Sequence, residues 1–250
     1  MVDYDDRLHR VYAAGRAVDQ ETIDGWMRAY AEIAPPHRPL TVLDLGSGIG
    51  RFTPALADTF GGPAYGVEPS ARMREQAPEH PNVTYLDGAA EAIPLPDGAV
   101  DVALLFLSFH HFRDQQQALH ELHRVLKPGG LVLLRSQFAD RMPELLWYRY
   151  FPSARAVDAA MYRTVEETRR MAVAAQLTPE DELRVIEAER PRSLKTLYER
   201  INARALSTFE HLPAAEIEAG FAEFRRDAEA DPEQPTPVVG ASLMVLRRQG

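Results

Sequence analysis

Apolar residues recur along this chain in two alternating rhythms. Short unbroken runs of aliphatic and β-branched residues fall near 41–45, 64–68, 83–86, 100–106 and 130–136. Between them lie segments at 19–33, 51–60, 70–77 and 115–126 whose apolar positions repeat every three to four residues. An unbroken run suits a strand buried on both faces, and the longer repeat suits a helix with one buried stripe. In the helix over 19–33 that stripe is Ile23, Trp26, Met27 and Tyr30, and over 51–60 it is Phe52, Leu56 and Phe60. Strand and helix in regular alternation predict an α/β fold with a parallel sheet, right-handed crossovers and helices on both sheet faces.

The rhythm changes in the second half. The span from Met142 to Gln176 reads as two or three helices inserted after the fifth strand, with Trp147, Tyr148, Tyr150 and Phe151 close together. Such a cluster suits either a lid that walls a pocket and excludes water, or the packing of the insert onto the sheet. Leu183 to Glu189 alternates as a sixth strand, helices are predicted at 193–206 and 213–229, and 231–237 is a short proline-rich connector.

Composition narrows the picture. A chain of 250 residues that is 45% hydrophobic can bury one substantial core, so we expect a single domain over 1–250 with a helical cap over 1–35 and a lid over 140–180. The formal charge of −9 speaks against a nucleic-acid partner, which usually needs a basic face. With no cysteine there is neither a disulfide framework nor a thiolate zinc site. His120 and His123 sit three apart on a helix, but no third ligand has a recognisable spacing, so no metal is expected. The opening M-V-D-Y-D-D-R lacks the basic flank and apolar run of a signal peptide, and no segment is long and apolar enough to span a bilayer. A cytoplasmic protein without membrane partners is the expectation.

The chemistry concentrates in T-V-L-D-L-G-S-G-I-G-R, residues 41–51. A strand runs into Gly46, Gly48 and Gly50, and a helix follows at once. Glycines let the main chain approach a ligand closely, and the helix turns its N-terminal amides toward the loop. Nicotinamide enzymes use a related device, but with the spacing G-x-G-x-x-G; here Arg51 stands where that pattern needs its last glycine. A second strand ends in Glu68, 24 residues after Asp44, a reach suited to a carboxylate that accepts both hydroxyls of a ribose. The plainer alternative is a surface acid before a turn. There is no G-x-S-x-G elbow, and Lys127 and Lys195, the only lysines, make no Tyr-x-x-x-Lys, which weakens hydrolase and short-chain dehydrogenase readings.

Two further blocks follow: D-G-A-A-E-A-I-P at 87–94 and R-V-L-K-P-G-G at 124–130. In order and spacing, the blocks from Tyr12 to Arg135 resemble class I S-adenosylmethionine-dependent methyltransferases, particularly their small-molecule group. The resemblance implies a Rossmann-like, doubly wound, mainly parallel seven-stranded sheet whose antiparallel edge strand is Ser242–Leu246. It implies S-adenosylmethionine as cofactor and S-adenosylhomocysteine as product. Gly46, Ser47 and Gly48 would border the methionyl part, Glu68 the ribose, the backbone at Ala89 and Ala90 the adenine edge, and Leu107 the sulfonium. Many relatives carry an aspartate where this chain has Ala89, so Glu91 is left to brace the loop, and Asp44 would organise the glycine loop through backbone hydrogen bonds. Tyr12 and Arg16 would close over the cofactor carboxylate, although Arg16 can equally be read as a solvated arginine beside a turn.

The function implied is methyl transfer to O, N or activated C of a small, partly apolar metabolite. An acceptor that starts protonated benefits from a base, and His110, beside His111 just past the fourth strand, is the candidate; loop packing is the competing role for the pair. A nicotinamide-dependent oxidoreductase and a non-catalytic cofactor-binding protein are the alternatives.

Overall fold

The computed structural model describes residues 19–188 and 190–250. Its first half alternates strand and helix: α1 (Gln20–Ile33), β1 (Leu40–Leu45), α2 (Thr53–Phe60), β2 (Gly61–Val67), α3 (Ala71–Arg74), β3 (Val83–Leu86), β4 (Val100–Phe106), α4 (Gln115–Val125) and β5 (Leu126–Arg135). Side-chain caps fix where helices begin. Asp19 accepts the N–H of Thr22 at 2.8 Å ahead of α1, and Asp114 accepts that of Gln117 at 2.9 Å ahead of α4, each satisfying a helix donor that has no partner within the helix.

Strands β1 to β5 pair in parallel in the order β3-β2-β1-β4-β5, so the order reverses between β1 and β4. Period-two alternation along each strand feeds two separate cores. Leu43, Leu45, Ala103, Leu105, Val132 and Leu134 face α4 on one side. On the other, Leu40, Val42, Val102, Leu104, Leu131 and Leu133 pack against α1 and α2, with Trp26, Tyr30, Leu56 and Phe60 fully or almost fully buried.

After β5 come α5 (Ala154–Met161), α6 (Val165–Ala174), β6 (Leu177–Pro179), β7 (Arg184–Ile186), α7 (Leu194–Asn202), α8 (Ala214–Ala230) and β8 (Ala241–Arg248). The sheet thus has eight strands rather than seven, and β8 is not an edge. It runs antiparallel to β5 on one side and pairs with β6 and β7 on the other. The strand expected over 183–189 is shorter, and β6 has only three residues, one of them a proline, too brief for an alternating pattern to mark.

The helices after β5 do not act as one body. Ala172 and Ala175 join the α4 core, whereas Tyr150 and Phe151 pack with residues from much later in the chain. Tyr150 stacks on Phe224 at 4.1 Å and Phe151 meets Phe221 edge-on at 5.0 Å, so these aromatics build the interior of a helical layer over the strand tips.

Candidate active site

Three glycines carry the turn out of β1. Gly46, Gly48 and Gly50 have φ of 75°, 56° and 71°, which side chains resist. At Gly46 the constraint is also steric, because a Cβ there would lie 2.5 Å from the Cβ of Ser108. Ser108 is itself held by donating its hydroxyl to the carbonyl of Leu45 at 2.7 Å. The N–H groups of Gly46 and Ser47 both donate to Val67 O, at 2.8 and 3.2 Å, and tie the loop to the end of β2.

Asp44 is buried beneath this loop and accepts the Thr53 hydroxyl at 2.7 Å. It braces the turn through a side-chain hydroxyl on α2, in place of the backbone hydrogen bonds expected from the sequence. Burial raises its pKa to about 6, the Thr53 bond opposing the rise and the nearby Glu68 carboxylate adding to it.

Glu68 stands at the tip of β2. Its Oε2 accepts the N–H of Gly48 at 3.1 Å and its Oε1 accepts that of Ser70 at 3.0 Å. One carboxylate therefore bridges the glycine loop and the start of α3. Glu91 accepts the N–H groups of Arg113 and Asp114 at 2.7 and 3.0 Å, bracing the loop that precedes α4.

A cavity of about 470 Å³ opens between these elements. Gly46, Gly48, Glu68, Ala89, Ala90 and Leu107 all line it. Ser47 does not; its buried Oγ lies on the Gly66 side, 3.0 Å from where a Cβ on Gly66 would be. His111, the other member of the histidine pair, lines it as well, and so do Met73 and Phe112, which were not singled out from sequence because an apolar side chain in a helix or loop carries no mark of the cavity it faces. Tyr12 and Arg16 lie outside the described residues.

A second cavity, of about 200 Å³, lies under the helical layer. Leu107 lines this one too, and so belongs to both. It adopts a left-handed φ of 54° while donating its N–H to Arg135 O at 2.9 Å, a conformation that is uncommon for a branched residue and gathers at functional sites. His110 faces the second cavity and His111 the first, with ring centroids 3.8 Å apart, and Tyr162 lies 4.5 Å from the His110 ring. Gln137, Trp147 and four arginines also line the second cavity.

Residues 43–134 match the methyltransferase domain family. Over these residues the chain carries a methyltransferase domain, and it is similar to the class I S-adenosylmethionine-dependent methyltransferases. Among relatives, it is 32% identical to the uncharacterized methyltransferase YcgJ of Bacillus subtilis, over 56% of this chain and 53% of that one. It is 36% identical to the ubiquinone/menaquinone biosynthesis C-methyltransferase UbiE of Rubrivivax gelatinosus, over 43% of each chain. The chain thus spans about half the length, or less, of these relatives. A crystal structure of a candidate methyltransferase from an antibiotic biosynthesis pathway of Anabaena variabilis superposes with a TM-score of 0.72 at 22% identity, covering 91% of this chain and 99% of that one, which shows the fold.

The cofactor of this family is S-adenosylmethionine, and the residues of the first cavity fit it. A nucleoside offers ribose hydroxyls, for which a carboxylate such as Glu68 is a ready acceptor, and an amino-acid end that needs the close main-chain approach Gly46 provides. Among the described residues no group of three or more His, Cys, Asp or Glu is placed to hold a metal ion, and no helix is long and apolar enough to cross a membrane.

Proposed function

We propose that this methyltransferase moves the methyl group of S-adenosylmethionine to O, N or activated C of a small-molecule acceptor held in the second cavity. The observation that carries this reading is Leu107, which forms part of both cavities and so marks where donor and acceptor meet. In the transfer a lone pair on the acceptor forms the new bond to the methyl carbon as the carbon–sulfur bond breaks. Sulfur keeps the bonding electrons, S-adenosylhomocysteine leaves, and an acceptor that began protonated gives its proton to a base.

The chain's own part is mostly positioning. Aligning nucleophile and methyl group at near-attack distance is worth on the order of 7 to 11 kcal/mol of barrier. Glu68 and Gly46 would fix the donor, and the helical layer would exclude water from the acceptor. His110, facing the acceptor side, is the group we assign to receive a proton.

The name of the Rubrivivax relative concerns quinone biosynthesis, and that name speaks for the donor half of the chain alone. The family match ends at Leu134, and most of the second cavity is built beyond it. The test is to incubate the protein with methyl-labelled donor and a metabolite extract and to identify what gains the label. Absence of any affinity for S-adenosylhomocysteine would overturn the reading. Saturable nicotinamide binding that S-adenosylhomocysteine leaves undisturbed would favour an oxidoreductase, and donor binding without any labelled product would favour a non-catalytic role.

A further inference from the structure

Several polar groups in the wall of the second cavity spend their hydrogen bonds on the protein itself. Asp158 accepts the hydroxyls of Tyr148, at 2.7 Å, and of Thr208. Thr236 Oγ1 receives the Arg192 N–H at 3.3 Å and donates to Arg192 O at 3.0 Å. Arg135 donates to Ser136 O at 2.9 Å, with its guanidinium near the rings of Trp26 and Phe106, and Arg190 pairs with Glu21. Gln137 is different. It lines the cavity, and its buried Oε1 has no hydrogen-bond partner among the described residues.

The residue is also held in place. Gln137 lies two positions past the end of β5, between Ser136 and Phe138, both of which are buried. Ser136 Oγ donates to Gln137 O at 2.8 Å, and Phe138 is locked into the α4 core. On the neighbouring strand tip, Leu107 donates its N–H to Arg135 O, so Gln137 stands beside the residue that the two cavities share. A buried carbonyl oxygen without a donor is costly to keep, and one fixed at a strand tip is ready to receive a donor from a ligand. The wall around it includes Leu145, Leu146, Trp147 and Ile201, and Trp147 is itself packed against Phe151 and Phe209.

We propose that Gln137 is a specificity-determining residue: its Oε1 receives a hydrogen bond from a hydroxyl of the acceptor, a phenol or alcohol whose apolar body lies on Trp147 and Leu145. A carbonyl oxygen has lone pairs and no proton, so an ether or carboxylate oxygen in the same place would meet it without a bond. A site built to bond a hydroxyl discriminates strongly against the analogue that lacks it, because the protein group is then left buried and unpaired. The proposal rests on the methyl-transfer reading only in calling that molecule the acceptor.

The experiment measures binding of 4-ethylphenol and its methyl ether, 4-ethylanisole, to the full chain by calorimetry, with and without S-adenosylhomocysteine. The phenol should bind about tenfold more tightly or better. Q137M keeps the length of the side chain and removes the carbonyl, so the preference should fall below about threefold. Affinity for S-adenosylhomocysteine should hold, since Gln137 does not line the first cavity. Q137E keeps an acceptor oxygen and should keep the preference at about pH 8, where a carboxylate is ionised. The extra methyl of the ether is common to every variant, so the change in ratio reads the oxygen alone. Equal binding of phenol and ether by the natural chain, a preference for the ether, or no binding of either would overturn the proposal. So would a phenol preference that survives in Q137M or is lost in Q137E. If the natural chain prefers the phenol but has no affinity for S-adenosylhomocysteine, the methyl-transfer reading fails and selection by Gln137 stands without it.

Discussion

The Thr53 hydroxyl donates to Asp44 Oδ2 at 2.7 Å, a buried bond that joins the first turn of α2 to the strand bearing the glycine loop. Burial lifts the Asp44 pKa from 3.8 to about 6. A pKa raised by folding means a contribution that is fully present below pH 3.8 and is lost as pH rises through about 6. The ionised form should then cost about 3 kcal/mol at neutral pH. Asp44→Asn removes this titration. Its stability relative to the natural chain should therefore rise by about 1.5 kcal/mol between pH 5 and pH 7.5, as measured by urea unfolding. A gap that stays constant with pH would show that Asp44 does not titrate in this range.

Glu68 should matter to the donor far more than to the acceptor. Glu68→Gln replaces a charged acceptor by an amide with one acceptor oxygen, so affinity for S-adenosylhomocysteine should fall about tenfold or more in calorimetry. Binding of an acceptor in the second cavity should be nearly unchanged, since Glu68 lines only the first. Undiminished affinity for S-adenosylhomocysteine would remove Glu68 from the ribose role.

The parallel half of the sheet and the donor loop were legible because their determinants are local. Apolar runs mark β1 to β5, and the glycines, Glu68 and the Ala89–Ala90 turn lie at fixed offsets from strand ends. The acceptor side was not. Arg135, Gln137, Arg192 and Arg200 meet through contacts between distant segments, and an arginine in sequence carries no sign of the cavity it will line. The aromatic cluster was visible, but its partners Phe209, Phe221 and Phe224 lie some sixty residues or more away, so its role as an interior emerges only in three dimensions. Ser108 escaped notice for a related reason: its importance is steric, as the wall that requires a glycine at 46.

Tyr30 offers a stability test free of function. Its ring is fully buried near Trp26, with centroids 5.4 Å apart, and its hydroxyl has no hydrogen-bond partner among the described residues. A buried polar group in that state costs roughly 1 to 3 kcal/mol. Tyr30→Phe should thus raise Tm by about 2–4 °C, and a lower Tm would mean that the hydroxyl is satisfied in solution.

Gly46→Ala should lose donor binding as well as stability. The left-handed φ alone costs an alanine about 1–2 kcal/mol, and its Cβ would collide with that of Ser108. The origin of the effect can be separated. Ser108→Gly removes the colliding atom and should restore part of the lost stability in the double variant, whereas Ser108→Ala keeps that atom and should not. Equal rescue by both would place the strain elsewhere.

The His110 and His111 rings lie tilted against each other with centroids 3.8 Å apart but face different cavities, so their substitutions should separate. Once the acceptor is known, His110→Asn should leave S-adenosylhomocysteine affinity intact and lower kcat about 10²-fold or more if the nucleophile starts protonated, the usual scale for a lost general base. His111→Asn should act on donor affinity instead. The two roles of His110, base or wall, differ in their dependence on the acceptor. A proton-accepting role predicts that the loss shrinks for an acceptor already ionised at the assay pH, because there is no proton left to remove. A packing role with Tyr162 predicts an equal loss for both acceptors, with the change falling mainly on KM. An undiminished kcat on the protonated acceptor would exclude His110 as the base.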